Sequence, residues 1–148
     1  VIDIAQVDRF AAEVLSAMHA GCFDPPWSAA TMTEILDGHG AAAWIAARDA
    51  APVGFLIGRR TLDEAEILTF GVLANHRRGG VGQSLVRSAL DQWRAEGVRA
   101  AFLEVAYGNG IARRLYHRAG FRAVGQRPGY YHHADGRRET ALVLRWER

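Results

Sequence analysis

The sequence predicts an α/β protein built on a mixed sheet. Three observations carry the prediction. Helical segments come first, three β-like runs follow as a meander, and the remainder alternates strand, helix, strand, helix, strand, strand, an order that mixes parallel with antiparallel neighbours. Val81, Leu85, Ala89 and Trp93 recur every four residues directly behind a glycine-rich segment, the period of a helix with one buried face. No internal repeat, low-complexity tract or linker interrupts the 148 residues, so one domain spanning 1–148 is expected.

Each element has a local reason. Val7, Phe10, Val14 and Met18 stand at helical spacing after a short apolar start at Ile2 and Ile4. Asp24-Pro25-Pro26-Trp27-Ser28 breaks that pattern, and Ser28 is placed to cap a second helix running to Asp37 and stopping at Gly38. Ala42–Arg48 and Val53–Arg59 read as strands joined by a turn containing Pro52, and Glu64–Leu73 as a third strand. The helix from Gly80 to Glu96 meets a natural stop at Gly97. Ala100–Val105 is nearly all apolar and reads as a buried strand, and Asn109–Ala119 as a helix ended by Gly120. Phe121–Arg127 and Glu139–Trp146 are two strands around a turn near Asp135-Gly136.

Composition narrows the function classes. Hydrophobic residues make up 49% and charged residues 23%, an ordinary globular balance. A net charge of +2 is too small for a polyanion-binding surface, so an acidic small molecule is expected in preference to direct nucleic-acid contact. The single cysteine, Cys22, has no internal disulfide partner, which fits a reducing compartment and predicts a cytoplasmic protein. The chain opens on Val, as a trimmed or processed start would. No apolar run reaches the length of a membrane span, and no membrane association is expected.

Arg77-Arg78-Gly79-Gly80-Val81-Gly82 lies between a strand and a helix, which makes it a candidate anion site. Successive N–H groups and the helix N-terminus point at a ligand there, three glycines keep the approach open, and two arginines add charge-assisted donors. A Walker A loop needs Lys followed by Ser or Thr, and neither is present. A dinucleotide fingerprint needs a third glycine where Leu85 stands. A glycine turn that binds nothing is the alternative.

Glu104 is unusual in itself, a carboxylate inside the apolar run Ala101–Val105. An edge position facing solvent, or a pairing with one of the many arginines, accounts for it without function. Tyr116 alone reads as a core aromatic. Together they carry more information. Asn109, Ala112 and Tyr116 share one stripe of the helix that follows the Glu104 strand, and pockets in open α/β sheets lie at strand C-termini.

Arg77-x-x-Gly80-x-Gly82 after a strand resembles the signature of the GNAT N-acetyltransferase superfamily. Pro26-Trp27-Ser28, Leu62-Asp63-Glu64-Ala65, Leu103-Glu104-Val105, Asn109, Leu115-Tyr116, Ala119-Gly120-Phe121, Tyr130-Tyr131 and Asp135-Gly136-Arg137 extend the match and are similar to its RimI branch, the bacterial ribosomal-protein alanine N-acetyltransferases. The resemblance implies about seven strands with four helices and acetyl-coenzyme A as donor. It implies that the backbone of Phe70, Gly71 and Val72 pairs with the pantetheine arm, and that Arg77, Arg78, Gly79, Gly80, Val81, Gly82 and Gln83 hold the pyrophosphate. Asn109 would hydrogen-bond the donor, Glu104 accept a proton and Tyr116 donate one. Tyr130 and Tyr131, in the connection of the last strand pair, would meet a protein or peptide N-terminus, with a small-subunit ribosomal protein as the implied acceptor. His132, His133 and Ala134 depart from the branch's acceptor loop and put the peptide preference in doubt.

The implied chemistry suits those groups. An α-amine titrates near about 7.8 and a lysine amine near about 10.4, so at neutral pH far more of the former is uncharged. A carboxylate therefore serves an N-terminal amine without an extreme environment, and a phenol can protonate the departing thiolate. Glu66 is the second candidate base. Adjacent His132 and His133 point to opposite strand faces with no accompanying ligand set, and no metal is expected. An acetyltransferase for a small amine and a non-catalytic coenzyme A sensor are the competing functions.

Overall fold

The computed structural model describes residues 1–148. Seven strands form one sheet: β1 Ile2–Val7, β2 Ala41–Arg48, β3 Ala51–Thr61, β4 Glu64–Val72, β5 Ala100–Ala106, β6 Arg122–His132 and β7 Arg138–Glu147. Their order across the sheet is β1-β2-β3-β4-β5-β7-β6. Every neighbouring pair is antiparallel except β4 with β5. Four helices complete the fold: α1 Ala12–Ala20, α2 Ala29–Leu36, α3 Val81–Ala95 and α4 Gly110–Arg118. The mixed α/β sheet with seven strands and four helices agrees with the expectation. No helix is long and apolar enough to cross a membrane.

Helix α3 buries Val81, Leu85, Ala89 and Trp93, the four-residue repeat read from the sequence. With α4 it covers one face of the sheet over a core that includes Trp44, Leu56, Leu103, Tyr116 and Phe121. Trp93 meets Trp44 edge-on at 5.4 Å, and a Cβ on Gly58 would come within 2.5 Å of the Trp93 ring, so a glycine is needed in β3 to admit the indole. Helices α1 and α2 cover the other face, where Leu15, Met18 and Met32 share a core with Phe55 and Ile57 of β3. Ser28 caps α2, its Oγ accepting the Thr31 N–H at 3.1 Å.

Four sequence expectations are corrected. The chain starts with a strand, not a helix: Ile2 to Val7 pair with β2, Ile4 opposite Ala46. Asp8 then caps a 3₁₀ turn, its carboxylate accepting the Phe10 N–H at 3.0 Å, and α1 begins only at Ala12. That turn resets the helical phase, so Phe10 and Val14 are 86% and 41% exposed while Ala12, Leu15 and Met18 are buried. Pro52 lies inside β3; the β2–β3 turn is Asp49-Ala50, both with positive φ. The proline sits opposite Ala47, beyond the last β4 pairing at Gly54, an end position that tolerates a missing N–H. Finally, β6 continues to His132, which puts Tyr130 and Tyr131 in a strand instead of a connection.

Candidate active site

The parallel pair β4–β5 is held by only three residue pairs, Glu64 with Ala100, Ala65 with Ala101 and Glu66 with Phe102. Beyond them β4 runs on to Val72 and β5 to Ala106 without pairing to one another. The two strands part, and the sheet opens between them. A bulge sharpens this: Ile57 pairs with Thr69 but Gly58 with Ile67, leaving Leu68 as an extra residue in β4. The extra residue reverses which side chains face α3, so Ile67 before it and Phe70 and Val72 after it all pack toward the same core.

Gly71 has no room for a side chain, since a Cβ would sit 2.9 Å from Cys22 Sγ and 2.9 Å from the Phe55 ring. Cys22 donates toward the Val72 carbonyl at 3.7 Å, and burial raises its thiol pKa against the opposing effect of Arg77. It is a packed thiol on the floor of the opening.

The glycine-rich turn stands beyond the end of β4. Arg78 and Gly80 take positive φ, 65° and 85°. Gly80 offers no side-chain cap to α3, and the first helical bond runs from Ser84 N to Gly80 O at 3.0 Å. The N–H groups of Val81, Gly82 and Gln83 precede that ladder and are left to external acceptors. A Cβ on Gly80 would meet nothing within 4 Å, so the space before the helix end is open. These features fit a phosphate-bearing ligand. The arginines divide their tasks. Arg77 Nε turns back to the Val72 carbonyl at 2.9 Å and braces the turn against β4. Arg48, 31 positions earlier, donates to the Gly79 carbonyl at 3.0 Å, and a side chain at Gly79 would collide with its guanidinium. Arg48 escaped sequence reasoning because only the tertiary fold brings β2 to this turn.

Gly82 lets α3 approach its neighbours: a Cβ there would be 2.7 Å from Leu115 Cδ1 and 3.1 Å from Phe70 Cζ. Helix α4 thus lies across the parting. Asn109 caps it, Oδ1 accepting the Ala112 N–H at 3.2 Å, which leaves the exposed amide nitrogen for a ligand. Tyr116 is 6% exposed, its ring 5.8 Å from Phe70 and 5.7 Å from Phe121. Burial, and secondarily Tyr131, push its phenol pKa well above the ordinary value.

Glu104 projects from β5 on the face opposite buried Leu103 and Val105, the face shared with Phe102. Its Oε1 lies 3.0 Å from Arg127 Nε, so the arginine pairing weighed from the sequence is real. Tyr131 is close enough that the Glu104 charge, after burial, helps raise the Tyr131 phenol pKa. Glu66, exposed on β4 opposite Phe102, lines a hollow of about 170 Å³ with Arg59, Thr61, Glu64, Leu68 and Phe102. Tyr131 thus stands near Glu104 and also near Tyr116, and Glu66 stands farther back along the same strand pair.

Tyr130 and Tyr131 reach the site through an irregularity in β6. Arg127 pairs with Ala141 and Tyr131 with Glu139, so four steps on β6 face two on β7. Pro128 lacks an N–H and Gly129 takes φ 64°, which produces the slack. His133 Nε2 lies 2.9 Å from Glu139 Oε1, while His132 is exposed. No group of three or more His, Cys, Asp and Glu side chains converges on one point.

Residues 12–121 match the family model for the acetyltransferase (GNAT) family. The chain is 33% identical over 92 residues to the [ribosomal protein bS18]-alanine N-acetyltransferase of Haemophilus ducreyi, a match covering 62% of this chain and 63% of that protein. The chain thus spans a little under two thirds of that relative's length. It is 32% identical over 138 residues to the N-alpha-acetyltransferase RimI of Mycobacterium tuberculosis, covering 88% of this chain and 84% of that one. The crystal structure of the ribosomal-protein-S18-alanine N-acetyltransferase from Escherichia coli superposes with a TM-score of 0.91 at 25% identity, over 99% of this chain and 94% of that chain.

Proposed function

The chain belongs to the acetyltransferase (GNAT) family, in its RimI-like branch, and from that premise we propose that it transfers the acetyl group of acetyl-coenzyme A to the N-terminal α-amine of a protein. The alanine terminus of a small-subunit ribosomal protein is the acceptor this reading takes, by analogy with what the relatives are named for. Residues 1–148 act as one domain. The observation that carries the reading is the parting of β4 from β5 between a phosphate-ready helix end and the Glu104–Tyr116–Tyr131 group.

Acetyl-coenzyme A supplies the acyl group as an activated thioester. The N–H groups from Arg78 to Gln83 suit its pyrophosphate, with Arg77 and Arg48 bracing the turn. The backbone of Phe70, Gly71 and Val72 borders the opening and suits the amide groups of the pantetheine arm. Asn109 has an amide nitrogen to spare. Glu104 takes the proton that the acceptor ammonium must lose, directly or through one water. Tyr116 gives a proton to the departing sulfur. Its raised pKa keeps that proton in place at neutral and mildly alkaline pH. One N–C bond forms as one C–S bond breaks, with no covalent enzyme intermediate. Acid–base help of this kind contributes roughly 10²–10⁴ in rate, or about 3–5 kcal/mol. Tyr130 and Tyr131 flank the acceptor. A reducing, cytoplasmic setting suits the free Cys22 thiol.

One observation favours a second reading. The hollow lined by Glu64 and Glu66 would suit a compact cationic amine. Thiol release from acetyl-coenzyme A separates the readings when followed with a short Ala-initiated peptide, its N-blocked lysine-containing counterpart and a panel of small amines. Turnover of the unblocked peptide alone is the expected result. Turnover that survives N-blocking, or that is confined to small amines, overturns the α-amine assignment. Tight coenzyme A binding without turnover of any acceptor identifies a sensor.

A further inference from the structure

The Glu104–Arg127 pair bears on acceptor recognition. Arg127 stands on β6 with its side chain 57% exposed, and Glu104 is 26% exposed. The Arg127 guanidinium carbon also lies 5.3 Å above the Tyr130 ring centroid, and Tyr130 meets Tyr131 edge-on at 5.2 Å. A carboxylate and an aromatic face turned toward one point make a cation subsite. In this structure the cation that fills it belongs to the protein itself.

We infer that Arg127 occupies, in the resting enzyme, the subsite that the acceptor's ammonium group takes during turnover. Arg127 is thus an internal competitor that sets which amines are admitted. The inference rests on the assignment of Glu104 as the proton acceptor for an amine. Three features make the displacement easy. Exposed ion pairs contribute little to stability. The long arginine stem has solvent on one side. Arg127 also borders the slack stretch Pro128-Gly129, where β6 departs from the register of β7. A primary ammonium that carries its own charge into the subsite exchanges one cation for another and leaves Glu104 paired throughout. A neutral acceptor group would have to strand both Arg127 and Glu104, so the subsite selects for cationic amines.

The test uses the full chain with Arg127→Gln and Arg127→Lys. Removing the competitor is expected to lower the acceptor KM at least threefold in R127Q, with a smaller change in kcat and an unchanged KM for acetyl-coenzyme A. R127K, which refills the subsite with an ammonium, is expected to stay near wild type. Methylguanidinium is expected to compete with the acceptor at least threefold more effectively in R127Q than in wild type. A raised acceptor KM in R127Q, or identical behaviour of the Gln and Lys variants, overturns the inference. A second readout needs no turnover: the ¹⁵N-arginine Nε–H resonance of Arg127 is expected to move on adding alanine amide and to stay in place with N-acetylalanine amide. Movement without thiol release from any peptide upholds the subsite and refutes the proposed activity. A resonance indifferent to alanine amide overturns the subsite even where peptides are acetylated.

Discussion

Glu139 on β7 accepts the backbone N–H of Gly108 at 2.6 Å, while its other oxygen lies 2.9 Å from His133 Nε2. One carboxylate thereby joins the tip of the last hairpin to the loop that carries Asn109 and leads into α4. The N–H of Gly108, and then His133, hold the Glu139 carboxyl below the usual carboxylate range. The contact is close: a Cβ on Gly108 would stand 2.6 Å from Glu139 Oε2, so a side chain there would push the carboxylate off its bond.

Glu139→Ala is expected to lower both kcat and the thermal midpoint, because it frees the loop that positions Asn109 and Tyr116. Glu139→Gln keeps an acceptor for Gly108 and is expected to lose less of each. The pH dependence has a definite sign. A carboxyl whose pKa is depressed by folding adds stability above its unfolded value of about 4.3, and that stability is lost as pH falls through the folded value. Acid unfolding followed by circular dichroism should show a shallower pH slope in E139Q; an unchanged slope would remove Glu139 from the acid response.

Glu104→Gln is expected to lower kcat at least tenfold while coenzyme A affinity stays within a few-fold. Tyr116→Phe is expected to lower kcat similarly. Because burial keeps Tyr116 protonated, the wild-type rate should not fall between about pH 8 and 10 through loss of the acid, the range in which an ordinary phenol starts to ionise. An unchanged kcat in E104Q would transfer the base role to Glu66 or to water.

Gly80 and Gly82 are expected to fail differently. Gly82→Ala drives a methyl toward Leu115 and Phe70, and overpacking of that kind costs about 1–3 kcal/mol, read as a lower thermal midpoint. Gly80→Ala meets no atom but forces alanine to a φ of 85°, at about 1–2 kcal/mol, and places a methyl in the open space before α3. Calorimetry should show the larger loss of coenzyme A affinity, relative to stability, in G80A. Equal affinities in G80A and wild type would move the phosphate away from this turn.

His19, on α1 beneath the opening, adds a pH sensitivity of its own. Its Nδ1 accepts the Trp27 N–H at 3.0 Å, and its ring stacks between Phe23 and Trp27. Burial lowers its pKa, so folding favours the neutral ring. Stability is expected to be full above the unfolded value of about 6.5 and to fall as pH drops from there toward the lower folded value. Urea unfolding at pH 7.5 and 5.5 tests this. His19→Gln should lose most of the difference, and a difference of wild-type size in that variant would exclude His19.

The sequence was most legible where one residue's neighbours along the chain decide its structure. The stripe from Val81 to Trp93, the Ser28 cap and the stop at Gly97 follow from local periodicity and capping. Glu104 announced itself as a charge in an apolar strand. The start of the first helix is hidden from hydrophobic spacing, because Asp8 resets its phase with a 3₁₀ turn that leaves no periodic mark. What stayed hidden is long-range: Arg48 at the Gly79 carbonyl, Arg127 on Glu104, and Glu139 on Gly108. Each joins residues about thirty or more positions apart except Arg127 with Glu104, which meet across β7. The slack at Pro128-Gly129 carried a signal in its proline and glycine, yet it read as the end of a strand.

The parting of β4 from β5 leaves the sheet as two ribbons, four strands and three, stitched by three residue pairs and bridged by helices. That seam is the weakest line in the architecture, and a molecule lodged in it works as a rivet. Whatever binds there selectively adds RT ln(1 + [L]/Kd) to the resistance of the whole chain to unfolding. If that molecule is the acyl donor, as proposed above, the thermal midpoint of the chain rises with donor concentration, and a donor-free fold comes apart first along this seam.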